Sequence, residues 1–183
     1  DLYDPVEWAA QAKRAGMKYV VLTTKHHDGF CLWDSRLTDY TSVNSACGKD
    51  LVKAFVEAVR EAGLKVGFYH SLLDWHHPDF PVDGYHPRRD DADVSAQNAG
   101  RDLARYRTYL HGQVRELLTE YGKIDYLFFD FSYERTDHNE IWGGKGADAW
   151  GSEALLAMIR DLPPELIVDG RLAVGGDCVP PVT

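Results

Sequence analysis

Apolar positions along the chain switch between two periods. After Asp4-Pro5, Val6, Ala9 and Ala10 recur at helical spacing, and Gly16 supplies a stop. Asp4 as N-cap, Pro5 at the first helical position and Glu7 three residues after Asp4 make a capping-box signature. Lys18 to Thr24 is then an almost unbroken apolar and β-branched run, which predicts a strand buried on both faces. Helical spacing returns from Asp50 to Ala62 through Leu51, Ala54, Phe55, Ala58 and Val59, closed by Gly63. Leu64 to Tyr69 predicts a second strand. Leu103 to Tyr121 is the longest helical pattern, with Gly122 at its end, and Ile124 to Asp130 is a third strand. A fourth helix is expected over Ser152 to Leu162, ended by Pro163-Pro164, and Leu166-Ile167-Val168 gives a fourth strand.

Strands alternating with helices imply parallel strands joined by crossovers, the α/β class. His76 to Gly100 is a polar loop with Pro78, Pro81, Gly84 and Pro87. Loops this long inside α/β domains are usually functional rather than boundaries, so residues 1–183 read as one domain. Four strands fit either a small doubly wound sheet or part of an eight-stranded barrel. A whole barrel takes about 250 residues, more than this chain has.

In both architectures ligands bind at the C-terminal ends of the strands. The first strand runs out into Lys25-His26-His27-Asp28-Gly29-Phe30 and the second into His70-Ser71, followed by Asp74 and Trp75. The third ends in Asp130-Phe131-Ser132-Tyr133 and the fourth in Asp169-Gly170-Arg171. Asp130, leaving an apolar strand, is expected to be only partly hydrated, although strand-end aspartates also cap loops. His26 and His27 would point opposite ways on a continuing strand, unless a turn brings both inward. Neutral imidazoles suit sugar hydroxyls because each ring can donate and accept. Metal ligation by the same histidines with Asp28, or by His76, His77 and Asp79, is the rival reading, without an HxH or HExxH spacing behind it. Tyr69 is either core or site. Arg171, just past an apolar strand, is expected to pair with a carboxylate or a substrate oxygen. Trp33 and Trp75 could stack on sugar faces, with packing favoured for Trp33.

The net charge of −9 disfavours nucleic-acid and anionic-lipid partners. No apolar run approaches a membrane span. Cys31, Cys47 and Cys178 lack CxxC spacing and are expected to be buried free thiols. Asp1-Leu2-Tyr3-Asp4-Pro5 does not read as a signal peptide and looks like an entry into the middle of a domain, which leaves localisation and oligomeric state unassigned.

The segment Val20-Val21-Leu22-Thr23-Thr24-Lys25-His26-His27-Asp28-Gly29-Phe30-Cys31-Leu32-Trp33 closely resembles the signature of glycoside hydrolase family 29, the α-L-fucosidases. Thr38-Asp39-Tyr40, Lys49-Asp50-Leu51-Val52, Ala62-Gly63-Leu64-Lys65, Tyr69 with Ser71, and Tyr121-Gly122 to Asp130 follow in the family's order. The resemblance implies a (β/α)8 TIM-barrel-type catalytic domain, of which this chain covers roughly four strand–helix units. It assigns Asp130 as the nucleophile and His26, His27, Tyr69 and Arg171 as the groups that hold the sugar. Here His70 replaces an aromatic neighbour of Tyr69, and Asp169-Gly170-Arg171 stands for the family's Asn-Asp-Arg.

Retaining hydrolysis, which the family performs, needs a second carboxyl group about 5–5.5 Å from the nucleophile and a covalent glycosyl-enzyme. The resemblance places that glutamate roughly a dozen residues after the arginine. No glutamate follows Arg171, so the acid/base is expected beyond Thr183, with Asp177 a poor substitute. No metal or organic cofactor is implied, and the partner is a fucosylated oligosaccharide or glycoconjugate. Two alternatives stay open: a catalytically incomplete sugar-binding fragment and a metal-dependent hydrolase.

Overall fold

A computed structural model describes residues 2–133, 144–162 and 165–179. The first helix, α1 (Pro5–Arg14), starts where the capping signature puts it, with the Asp4 carboxylate accepting the Glu7 amide at 3.0 Å. The reciprocal half of the box is replaced. The Glu7 carboxylate instead takes Gln11 and Arg14, one and two turns along the helix.

There follow β1 (Tyr19–Lys25), α2 (Leu51–Glu61), β2 (Lys65–Ser71), α3 (Val94–Asn98), α4 (Leu103–Glu120) and β3 (Tyr126–Asp130). Next come α5 (Ala147–Trp150), α6 (Ser152–Arg160), β4 (Ile167–Val168) and a 3-10 turn over Gly170–Leu172. Gly16, Gly63 and Gly122 all have positive φ at the helix ends that their sequence positions predict. The expected fourth helix is α6, and a short helix that no apolar period marked, α5, precedes it, with Gly151 in the left-handed region at φ 60° between the two. Its proline stop at Pro163-Pro164 lies outside the described residues. The 76–100 loop carries α3, which no apolar period marked: none of its residues is buried.

All four strands are parallel and pair in chain order, β1-β2-β3-β4. Alternate positions Val66, Phe68, Leu127, Phe129 and Val168 point to one face and form a single core with Val52, Phe55 and Val59 of α2, Tyr106, Leu110, Val114 and Leu117 of α4, Trp150, and Leu155 and Ile159 of α6. The helices thus lie on one side of the sheet. Burial of β1 on both faces, expected from its apolar run, is not observed. Tyr19, Val21 and Thr23 are exposed on the other face, as is Ile167, because no described element covers that side.

A register shift between β1 and β2 comes at Thr24: Thr23 pairs with Tyr69, and Lys25, not Thr24, pairs with His70. The extra residue buries Thr24 and Lys25 in succession, which regular alternation forbids. Cys31 is a buried thiol as expected, whereas Cys47 is exposed and Cys178 partly so: both sit on loops rather than under a helix.

Glu116 of α4 anchors the segment that leaves the first strand. Its buried carboxylate accepts the Trp33 indole N–H at 3.0 Å, the Ser35 hydroxyl at 2.8 Å and the Arg36 amide at 3.0 Å. Trp33 is accordingly a packing residue with no exposure. Glu116→Ala strands three donors and is expected to cost about 2–4 kcal/mol, read as a lowered urea midpoint at pH 7. A midpoint within experimental error of the parent would show that the carboxylate carries no such load.

Candidate active site

The C-terminal ends of the strands bring the expected residues together around Asp130. Ser71 pairs with Asp130 in the sheet register, so Asp130 ends β3 beside the last residue of β2. Two positions back along β2, the Tyr69 hydroxyl donates to Asp130 Oδ2 at 2.6 Å. Arg171 Nη1 is 3.6 Å from Asp130 Oδ1, and the carboxylate retains about a fifth of its exposure, the partial hydration expected for it. Burial, and after it the hydrogen bond to Asp130, hold the Tyr69 phenol far above its usual range, so it remains a donor.

The turn after β1 answers the question of the two histidines. Lys25 is the last strand residue, and the Gly29 amide returns to the His26 carbonyl at 3.1 Å. The rings of His26 and His27 therefore sit together, with centroids 4.3 Å apart. His26 stacks on Tyr69 with planes 6° apart, and Tyr69 stacks in turn on Phe128. The Arg171 guanidinium covers the other aromatic of this row, 5.8 Å from the Phe128 centroid. His27 is half-buried between Trp75 and Phe131. Its pKa falls to about 4, chiefly from burial and then from His26, with Asp130 and Asp28 opposing.

Several contributors carry no signal in the sequence. Lys25 is fully buried, and its ammonium reaches Asp74 Oδ2 at 3.2 Å and Gln113 Oε1 at 2.9 Å. Asp74 Oδ1 in turn accepts the amides of His76 and His77. A lysine at the end of an apolar strand is the one hint, since an unpaired buried ammonium is rare. Phe131, directly after Asp130, has φ 77°, a conformation costly for a non-glycine residue. It swings its ring between His27 and Tyr85. Behind it, Tyr133 donates to Asp83 Oδ2 at 2.5 Å, and the buried Lys145 pairs with the same carboxylate. The 76–100 loop is thereby fastened to the segment after β3. On the far side, Ser132 donates to the Arg171 carbonyl, and the Trp150 indole donates to Ser132 at 3.0 Å.

Asp169 is also buried. Its Oδ1 accepts the Phe129 amide at 3.0 Å, and burial raises its pKa to about 6 against the two amides that bond it. Asp177 is committed elsewhere, to Arg160 and the Val168 amide. The rival metal ligands are dispersed: Asp28 caps the Phe30 amide, and Asp79 is held by Arg105. Among the described residues, no three His, Cys, Asp or Glu side chains converge as a metal site.

The strand ends of a parallel sheet thus gather a carboxylate, two imidazoles, a phenol and a guanidinium. The α-L-fucosidase family profile matches residues 1–179, and the chain belongs to that family. The tissue α-L-fucosidase of Mus musculus is 31% identical over 180 residues, which is 96% of this chain and 35% of the mouse protein. Among solved structures, α-L-fucosidase isoenzyme 1 of Paenibacillus thiaminolyticus is 52% identical with a TM-score of 0.83, covering 93% of this chain and 38% of that one. The Thermotoga maritima α-fucosidase in complex with fucose is 38% identical with a TM-score of 0.70, covering 97% and 38%. The chain thus spans little more than a third of the length of these relatives.

Five histidines, His27, His70, His77, His86 and His111, have pKa values lowered first by burial. Unfolded histidines take up protons near pH 6.5 and these do so only at lower pH, so the unfolded state binds more protons as pH falls from 6.5 towards 4. Asp169, raised to about 6, acts in the opposite sense but is a single group. Stability is therefore expected to drop between pH 7 and pH 5, measured as a falling urea midpoint. A midpoint that rises over this interval would contradict the buried, neutral histidines.

Proposed function

We propose that this chain carries the nucleophile and most of the sugar-binding wall of a retaining α-L-fucosidase, as part of one (β/α)8 catalytic domain. Sequential parallel pairing with helices on one face supports the barrel, since a doubly wound sheet reverses its strand order and covers both faces. The observation that carries the function is Asp130. It is a partly hydrated carboxylate at a strand end, hydrogen-bonded by Tyr69 and approached by Arg171, next to two imidazoles.

In this reading Asp130 attacks the anomeric carbon of a terminal α-L-fucoside as the aglycone leaves. The resulting glycosyl-enzyme is hydrolysed by water, which returns the carboxylate. The phenol and guanidinium hold Asp130 in place and fix the direction of its lone pairs. His26 and His27 hold sugar hydroxyls and contribute positioning rather than proton transfer to the leaving group. The general acid is assigned to no described residue, so an aryl fucoside, whose leaving group needs little protonation, is the informative substrate. A fucosylated oligosaccharide or glycoconjugate is the natural class. Solved relatives in complex with fucose favour that sugar.

In the complete protein, Asp130→Gly is expected to lower turnover of an aryl α-L-fucoside by at least about a thousandfold while fucose still binds. A fluorinated mechanism-based fucoside should label Asp130. Near-parental turnover, or label on another residue, removes the assignment. Tyr69→Phe deletes one hydrogen bond to the carboxylate and should reduce kcat by about tenfold to a hundredfold with a smaller change in KM. An unchanged kcat would make Tyr69 a packing residue only.

A further inference from the structure

Ser71 is fully buried at the end of β2, and its hydroxyl oxygen meets three groups. It lies 2.6 Å from His27 Nδ1, 3.0 Å from the Leu73 amide nitrogen and 2.9 Å from the Leu73 carbonyl oxygen. A hydroxyl has one proton and two lone pairs. The amide can only donate to it, and the carbonyl can only accept from it. If the serine proton goes to the carbonyl, one lone pair takes the amide, and the oxygen presents its remaining lone pair to His27. Nδ1 must then carry a proton. The opposite assignment sends the serine proton to His27 and leaves the carbonyl of Leu73, a residue with no exposure, without a donor among the described residues. Native interiors avoid such unpaired acceptors.

The other ring nitrogen is the one that faces outward. His27 Nε2 makes no hydrogen bond to a described residue and is not among the buried unpaired atoms. Burial and the neighbouring His26 keep the ring singly protonated at neutral pH. With that proton on Nδ1, Nε2 is a bare lone pair. The Trp75 and Phe131 rings, at 5.1 and 5.5 Å, hold the imidazole edge-on, so its direction is fixed as well.

Resting on the glycosidase reading of this pocket, we infer that Ser71 is a positioning residue that locks His27 in its Nδ1–H tautomer, so that His27 reads the sugar as an acceptor and selects a hydroxyl that donates. The chemistry this excludes is specific. A hydrogen or fluorine at that ring position offers no proton to Nε2, and fluorine gains nothing over hydrogen. Had the exposed nitrogen carried the proton, fluorine would serve as a weak acceptor and keep part of the affinity.

The tautomer can be read directly, without any sugar. Long-range proton–nitrogen NMR on the complete protein labelled with nitrogen-15 histidine, with His27 assigned against His27→Gln, should give a pyrrole-type Nδ1 and a pyridine-type Nε2. A pyridine-type Nδ1 overturns the inference. Ser71→Ala should release the ring into a mixture of tautomers and weaken fucose binding by about tenfold, and Ser71→Thr, if it folds, should restore the parental spectrum. Should Ser71→Ala fail to fold, a series of monodeoxy and monofluoro fucoses tests the same point on the parent. At one ring position both should lose about tenfold or more in affinity, equally. Fluorine restoring hydroxyl-level binding at every position would refute the acceptor role. The two readings fail separately: a pyridine-type Nδ1 in a protein that binds fucose sinks only the tautomer, and a pyrrole-type Nδ1 in a protein that binds no fucose sinks only the fucosidase assignment.

Discussion

The geometry of the pocket depends on a buried ion pair, between Lys25 and Asp74, set behind the residues that surround Asp130. Lys25 has no exposure, and its charge is balanced by Asp74 and the Gln113 carbonyl. Removing one partner of such a pair leaves a naked charge in the interior, at about 3–5 kcal/mol. Asp74 does more than neutralise. Its second oxygen fixes the His76 and His77 amides, and the Trp75 amide, one residue on, donates to the His27 carbonyl at 2.8 Å. Gly29 crosses so near that a Cβ there would fall 2.2 Å from Asp74 Oδ1. The turn with the two histidines is thus clasped to the loop after β2, and Gln113 ties both to α4.

From that clasp outward, polar groups divide into those that give protons and those that take them. Tyr69 and Arg171 direct donors at Asp130, which leaves the carboxylate oriented. His27, backed by Ser71, is set the other way. His26 contributes through its stack on Tyr69, so that its ring plane is fixed by an aromatic floor. Phe131 carries backbone strain, and its ring fills the space between His27, Tyr85 and Tyr133. The strain is held in place by the Tyr133–Asp83–Lys145 cluster. Rigid walls and fixed proton assignments are the conditions under which a pocket can position a substrate.

The alternation of periods and the capping residues made the four strands, most of the helices and the ends marked by Gly16, Gly63 and Gly122 legible from the residues alone. That Asp130, His26, His27, Tyr69 and Arg171 gather at one end of the sheet was legible too, because strand ends are where α/β proteins place chemistry and because a long string of residues resembles a known family. What escaped was set by tertiary contacts. An apolar run cannot tell a strand covered on two faces from one covered on one, hence the exposure of Tyr19 and Val21. Nothing local marks the irregularity at Thr24, which buries Thr24 and Lys25 in succession. Phe131 gives no warning of its left-handed backbone, which tertiary packing imposes. The serine that sets the proton on His27 lies 44 positions away in sequence, beyond the reach of any periodicity.

The order of the strands has a bearing on how the chain is made. Each of β2, β3 and β4 pairs with the strand synthesised just before it, at separations of roughly 40 to 60 residues. Among the four described strands, none has to wait for a distant partner or thread between two that are already joined. As the polypeptide leaves the ribosome, these four strands can therefore be laid down in order, with each helix sealing one side as it emerges. Gln113 in α4 is translated well after Lys25 and Asp74, so that ammonium completes its shell only when the third unit arrives.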